Sequence, residues 1–333
     1  MKADSFTDNG SPAPSWLSRG APYIIIIAIM IVLPFIIPTY FQSLLGKIYI
    51  FAIFAMSLNL VMGYGGLVSI GHAVYLGVGG YTVGILMVRL GIDSIWILFP
   101  LALIASAIVA AIVGVIALRA TGMHFIIITI AFGQLFYAIA VKWRDVTGST
   151  DGLVGIGFPA VNLFGFQWTQ FSFHYLILAF FIITYFVMYL IAHSPYGHAL
   201  VGIRENEPRM QGLGYNTWLY KYIAFIIGGI FAGLSGALFA PFYGVMAPGH
   251  FNLITSSMAT LIVTLGSPGM LPGPIIGTIV IILIEFFSSV YSPERWPLIL
   301  GGMFIICITL FRGGFGVYLE RPWYKLRKKI FGY

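Results

Sequence analysis

The sequence predicts an all-α integral membrane protein of about ten transmembrane helices, several of them interrupted by Gly and Pro, with both termini cytoplasmic. Three observations predict it. Of 333 residues, 59% are hydrophobic and 8% charged, whereas an ordinary globular domain is about 25% charged; the mean hydropathy is +0.97. Apolar stretches such as residues 173–191 and 223–239 approach the roughly 20 residues that a helix needs to cross a bilayer core about 30 Å thick. Nothing alternates apolar and polar as the strands of a membrane barrel would, so backbone groups must be satisfied within helices.

Residues 1–20, MKADSFTDNGSPAPSWLSRG, are polar and rich in Ser, Pro and Gly, which predicts a flexible N-terminus. Arg19 before an apolar stretch has the look of a signal peptide. No small-residue cleavage pattern follows Ile37 or Pro38, so the first span is read as uncleaved. One transmembrane domain over residues 21–311 is expected, with spans at 21–40, 44–62, 67–88, 95–118, 123–141, 173–192, 221–241, 252–265, 273–291 and 297–311. The connection 142–172 is too long for a simple turn and mixes Gly, aromatic and polar residues, so a structured cap or re-entrant segment is expected there. Residues 312–333 form a basic tail ending RPWYKLRKKIFGY.

Lys and Arg set the orientation. With the N-terminus inside, the cytoplasmic segments hold Lys2, Arg19, Arg119, Arg204, Arg209, Lys221 and the six basic residues from Arg312 to Lys329. Lys47, Arg89, Lys142, Arg144 and Arg295 fall on the outer side. The connection 142–172 is then external, and a multi-pass protein of the cytoplasmic membrane results.

The net charge of +7 fits this topology and contact with anionic membrane lipid; no nucleic acid partner is expected. Cys307 is the one cysteine, so an internal disulfide and a cysteine-based metal site are excluded. No G-x-x-x-x-G-K-[ST], H-E-x-x-H or G-x-S-x-G occurs among these residues, which removes phosphate cradling, zinc hydrolysis and the nucleophile elbow. No cofactor, metal or catalytic residue is expected; the chain does not read as an enzyme.

Between Asp151 and Glu285 the charges are Arg204, Glu205, Glu207, Arg209 and Lys221, all within SPYGHALVGIRENEPRMQGLGYNTWLYK, residues 194–221. Both charge signs in a short segment of a lipid-embedded chain mark a candidate docking surface for another protein. Ser194 can cap a helix with Pro195 at its first position, and Tyr196, Ala199, Leu200 and Ile203 follow at helical spacing. Pro208 suits the start of a second short helix that Gly212 and Gly214 would end. Thr217 is expected to cap the next span. From local chemistry alone, a solvated amphipathic hairpin merely joining two spans is the favoured reading.

Residues 197–225, GHALVGIRENEPRMQGLGYNTWLYKYIAF, resemble the cytoplasmic loop of permease subunits in bacterial ABC importers of the branched-chain amino acid type. In that family the loop docks into a groove on the ATPase subunit, which implies coupling roles for Gly197, Arg204, Glu205, Asn206, Glu207 and Gly212. Gly202 and Pro208 stand where alanine is commoner in the family, which bears on the length of the docking helix. Residues 57–86, 265–285 and 293–314 also resemble the family, so that the likeness extends over about two-thirds of the chain.

In residues 57–86 the glycines are spaced so that several share a helical face, letting backbones approach closely. Asn59, Ser69, His72, Tyr75 and Tyr81, with Gln134 on the fifth span, either glue helices together or line a substrate path. Glu285 is the acidic residue placed within a span, where charge is costly and points to function; an interfacial, structural position near Arg295 fits about as well. The resemblance implies two ATPase subunits, a second related permease subunit and a periplasmic binding protein as partners, with branched-chain or other small amino acids as substrate. Urea or short amides, or a stand-alone channel or secondary transporter, are the alternatives.

Overall fold

In a computed structural model, residues 29–160 and 169–291 are described, together with residues 298, 301, 302, 305 and 309. The N-terminal 20 residues, the basic tail, Arg295 and Cys307 lie outside this set, as does most of the tenth expected span.

Residues 29–36 are helical. Helix α1 (Thr39–Asn59) follows and runs into a π-helical turn, Leu60–Tyr64. Residues 65–72 leave helical geometry before α2 (Ala73–Val88). Next come α3 (Ile95–Ala117), α4 (Met123–Lys142) and α5 (Gln170–Ala192). Two short helices, α6 (Pro195–Glu205) and α7 (Glu207–Gly212), precede the long α8 (Thr217–Tyr243). Helices α9 (Leu253–Gly266) and α10 (Gly273–Tyr291) complete the described fold.

Among the described residues, six segments are long and apolar enough to cross a membrane: Tyr40–Tyr64, Ile95–Ala117, Met123–Lys142, Gln170–Ala192, Thr217–Tyr243 and Gly273–Val290. Each coincides with an expected span to within a few residues. The spans expected at 67–88 and 252–265 are different. Their helices hold 16 and 14 residues, about 24 and 21 Å at 1.5 Å per residue, short of a ~30 Å core. Glycine is the physical reason in the first case: Gly66 takes φ +72, and a side chain at Gly71 would strike the Thr129 carbonyl.

Backbone groups freed by the break before α2 find side-chain partners, as burial without water requires. Ala73 N–H donates to Ser256 Oγ on α9 at 3.0 Å, and Ile70 N–H to Thr129 Oγ1 on α4 at 3.3 Å. The broken segments are thereby tied to each other and to a full-length helix.

The connection after α4 is structured. A helical turn, Arg144–Thr147, and a 3₁₀ turn, Ser149–Asp151, lead to Leu153–Val154. That strand pairs antiparallel with Val245–Met246, Leu153 opposite Met246. This two-residue ribbon is the one sheet among the described residues, and it covers one end of the helices.

Two helices form the centre: 83% of the most apolar window of Tyr40–Tyr64 is buried, and 72% of that of Thr217–Tyr243, against 22% for Met123–Lys142. Helix α8 crosses α2 backbone to backbone. A side chain at Gly79 would meet the Gly233 carbonyl, and one at Gly236 the Leu76 carbonyl, so both crossings need glycine. On α2, Gly77, Gly80 and Gly84 form the expected shared face, turned toward Phe251, Met246 and Ile156.

Candidate functional site

The charged segment folds as two short helices held by local chemistry. Ser194 Oγ accepts from Gly197 N–H at 3.2 Å, with Pro195 opening α6. Ala199, Leu200 and Ile203 are buried, and Tyr196 is half-buried. Tyr196 stacks on Tyr220 and donates its hydroxyl proton to the Tyr220 carbonyl at 2.8 Å. Gly197 sits against the last turn of α5, where a side chain would meet the carbonyls of Ile191 and Ala192. That contact sets the angle at which α6 leaves the bundle.

Asn206 ends α6 in an extended conformation and caps α7, its Oδ1 accepting from Arg209 N–H at 3.0 Å. Pro208 lies in the first turn of α7, and Gly214, at φ +87, turns the chain beyond it. The expected cap at Thr217 is corrected: Asn216 caps α8 through Leu219 N–H at 3.2 Å. Thr217 is instead buried and accepts from Gln211 Nε2 at 3.1 Å. Asn wins because its carbonyl reaches the third helical N–H from one position earlier.

Glu207 Oε2 meets Lys221 Nζ at 2.6 Å, joining α7 to α8. Burial alone would raise the Glu207 carboxyl. Hydrogen bonds from Lys221 and Thr217 and the Lys221 charge outweigh it, and the group sits below its ordinary 4.5. Glu205, Asn206, Arg209 and Gly212 are exposed, and Gly212 has open space where a side chain would stand. Glu205 has no ion-pair partner among the described residues.

Arg204 is exposed as well, but its guanidinium turns back onto the helices. Its guanidinium donates to the Gly63 carbonyl in the π turn that ends α1, crossing Gly66 and Gly269, both at positive φ and both in contact with its side chain. Asn59 lies beside this junction. Its Oδ1 accepts from Gly269 N–H and its Nδ2 donates to the Met270 carbonyl, each at 2.9 Å. A side chain at Gly63 would fill the space that Asn59 and Gly269 share. Arg204, Gly63, Asn59 and the turn 267–270 thus form one connected unit. The π turn, a frequent marker of functional positions, lies at its centre.

Of the other expected polar residues, His72 and Tyr75 come together. His72 is fully buried, stacks on Phe54 and shares a 2.9 Å hydrogen bond with Ser57 Oγ. The Tyr75 ring packs edge-on against His72 and Phe225. Ser69 is buried in the break before α2, where its carbonyl accepts from Thr260 Oγ1 at 3.4 Å. Tyr81 stands apart from them, stacked on Phe251 at 5.4 Å. Gln134 joins none of these contacts and is exposed on α4.

For Glu285 an interfacial position near Arg295 is one of two readings of the sequence, and Arg295 lies outside the described residues. Glu285 pairs with Lys47 on α1, Nζ to Oε1 at 2.8 Å. The Lys and Arg distribution placed Lys47 on the outer side, but nothing in it marks Lys47 as the partner of Glu285, 238 positions away. No group of three or more His, Cys, Asp or Glu able to hold a metal occurs among the described residues.

Comparisons with known proteins agree on one family. The family profile described as "Branched-chain amino acid transport system / permease component" matches residues 40–309. The high-affinity branched-chain amino acid transport system permease protein LivM of Salmonella typhimurium is 27% identical over 326 residues, covering 91% of this chain and 76% of the relative. The protein of that name from Escherichia coli K12 is 28% identical over 84% of this chain and 70% of its own. The permease protein LivH of Salmonella typhimurium is 25% identical over 80% of this chain and 90% of its own. No solved structure matches. With a family match across both broken helices, the charged segment and the junction at Gly63, the chain belongs to the family of permease components of branched-chain amino acid transport systems.

Proposed function

We infer that this chain is the membrane subunit of an ATP-driven importer for branched-chain or other small amino acids. One observation carries the mechanism. An exposed, doubly charged helix pair is wired by Arg204 to a π turn on a central helix. A partner pressing on that pair would move the end of α1 directly, and such a link has work to do only if force arrives from outside the chain.

In this reading the importer has two ATPase subunits, one of which docks on residues 194–221. Glu205 and Arg209 face the ATPase, Asn206 and Glu207 hold the helix pair in shape, and Gly197 and Gly212 shape its ends. ATP hydrolysis belongs to those subunits. Closure of the ATPases would bias the packing of α1, the Asn59 junction and the turn 267–270 between two states, as differential contacts allow. A second, related permease completes the path; the matches to both LivM and LivH proteins support a pair. A periplasmic binding protein delivers substrate to the outer face.

The proposed topology has ten crossings with both termini cytoplasmic, counting the short α2 and α9 with their broken segments, in a bacterial inner membrane. Ser69, His72 and Tyr75 sit where those breaks meet the central helices, and we assign them to the lining or support of the path. The test is copurification with a nucleotide-binding subunit and ATP-dependent leucine uptake by the assembled complex. Transport at full rate by the isolated chain without ATP would overturn the importer reading in favour of a stand-alone channel or secondary transporter.

A further inference from the structure

Near the ends of α1, α8 and α10 remote from the charged segment lies an open cleft of about 240 Å³, with Lys47 and Glu285 in its wall. Several water-sized groups at ~30 Å³ each fit there, which is the size range of a small amino acid. The two side chains are 23% and 22% exposed, so the pair is neither in bulk water nor sealed. Its satisfaction is incomplete: Glu285 Oε1 accepts from Lys47, while Oε2 is buried and accepts nothing among the described residues. Lys47 Nζ has a second support, the Phe51 ring 5.9 Å away. Leu44, Ile282 and Phe286 give the cleft an apolar wall.

We propose that this cleft is a zwitterion site on the transport path, in which the Lys47–Glu285 pair opens around an amino acid. The proposal rests on the importer reading and names the contacts that admit its substrate. Separating a partly buried ion pair leaves two charges uncompensated, which is strongly unfavourable. A zwitterion removes the obstacle because its carboxylate replaces Glu285 at Lys47 while its ammonium replaces Lys47 at Glu285. Charge stays balanced at every position, and the second carboxylate oxygen gains a donor. Urea or a neutral amide brings no charge to exchange and leaves the pair shut. The apolar wall then accommodates an aliphatic side chain.

The placement also connects the site to the docking segment. Lys47 and Gly63 belong to one continuous helical stretch, about 24 Å apart at 1.5 Å per residue. An amino acid entering between Lys47 and Glu285 wedges α1 from α10 at one end, and Arg204 grips the other end of α1.

The experiment measures ATP-driven uptake of radiolabelled leucine in cells holding the complete importer, with complex yield and basal ATP hydrolysis as controls. Lys47→Met and Glu285→Gln each lower uptake about tenfold or more, the loss expected when a charge-assisted contact is removed. The double variant is decisive. If the pair merely clamps helices, neutralising both members restores transport, because a buried pair is readily replaced by neutral residues; wild-type uptake by the double variant therefore overturns the proposal. Continued loss in an assembled complex supports it. Leu44→Trp keeps both charges but fills the cleft; it should also block uptake without reducing complex yield, and undiminished uptake would again sink the idea. A wild-type complex that hydrolyses ATP but takes up no leucine refutes the importer reading itself, an outcome distinct from failure of the cleft alone.

Discussion

The Arg204 guanidinium hydrogen-bonds to the backbone carbonyl of Gly63, 141 positions earlier in the chain. A charged donor on a backbone acceptor contributes about 1.5–3 kcal/mol, and here it fastens the charged helix pair to the end of a central helix. Arg204→Ala is expected to lower ATP-driven uptake about tenfold while leaving binding of the ATPase subunit nearly unchanged. Lys at this position should recover part of the activity, since it keeps one donor but lacks the planar reach. Equal losses of uptake and ATPase binding would show instead that Arg204 is a docking residue.

Glu205 gives the opposite expectation. It is exposed and unpaired among the described residues, so its charge is available to a partner. Glu205→Lys should weaken copurification of the ATPase roughly tenfold and lower uptake in proportion, with membrane insertion intact. Unchanged uptake would remove Glu205 from the interface.

The Glu207–Lys221 pair supplies a pH dependence whose sign follows from its environment. Lys221 and Thr217 hold the Glu207 carboxyl below 4.5 in the fold. Its contribution is therefore complete above the ordinary carboxylate value and is lost as pH falls through the depressed one. Limited proteolysis within residues 205–216 should stay flat from neutral pH to about 5 and rise below it. Glu207→Gln should show the acid pattern at neutral pH. Because the pair is partly exposed, its loss costs at most about 1 kcal/mol.

Gly236 tests the helix crossing. A methyl group there meets the Leu76 carbonyl and lies 2.9 Å from Gly80 N, both rigid backbone. Gly236→Ala should cost about 1–3 kcal/mol and lower the melting temperature of the detergent-solubilised protein by roughly 2 °C or more. Gly249→Ala, with nothing within 4 Å, should leave the melting temperature unchanged.

Membrane class, the approximate extent of the six long spans, the Ser194 cap of α6 and the Pro208 start of α7 were legible in the sequence, because each depends on neighbours within a few residues. The Asn206 cap of α7 was not read there. Hydropathy sums over one helix, and Ser194, Asn206 and Pro208 act on the turn that contains them. Even there one cap moved from Thr217 to Asn216, a difference of a single backbone position. The resemblance implied a docking role for the charged segment and gave Arg204 and Glu205 the same part in it. Folding separates them: both are exposed, but Arg204 hydrogen-bonds to the Gly63 carbonyl, whereas Glu205 has no ion-pair partner among the described residues.

What the amino-acid sequence by itself determined, then, is where helices form and that they belong in lipid. Tertiary structure alone decided which residues work together: Arg204 with Gly63, Asn59 with Gly269, and Lys47 with Glu285 across 238 positions. It also shortened α2, since the break before it is stable only where Thr129 of α4 and Ser256 of α9 satisfy the freed backbone of Ile70 and Ala73. The physical reason is range. Propensity and hydropathy act along the chain, whereas polar groups in a water-poor interior take whatever partner helix packing brings within 3 Å or so, and that partner has no mark in its own sequence neighbourhood.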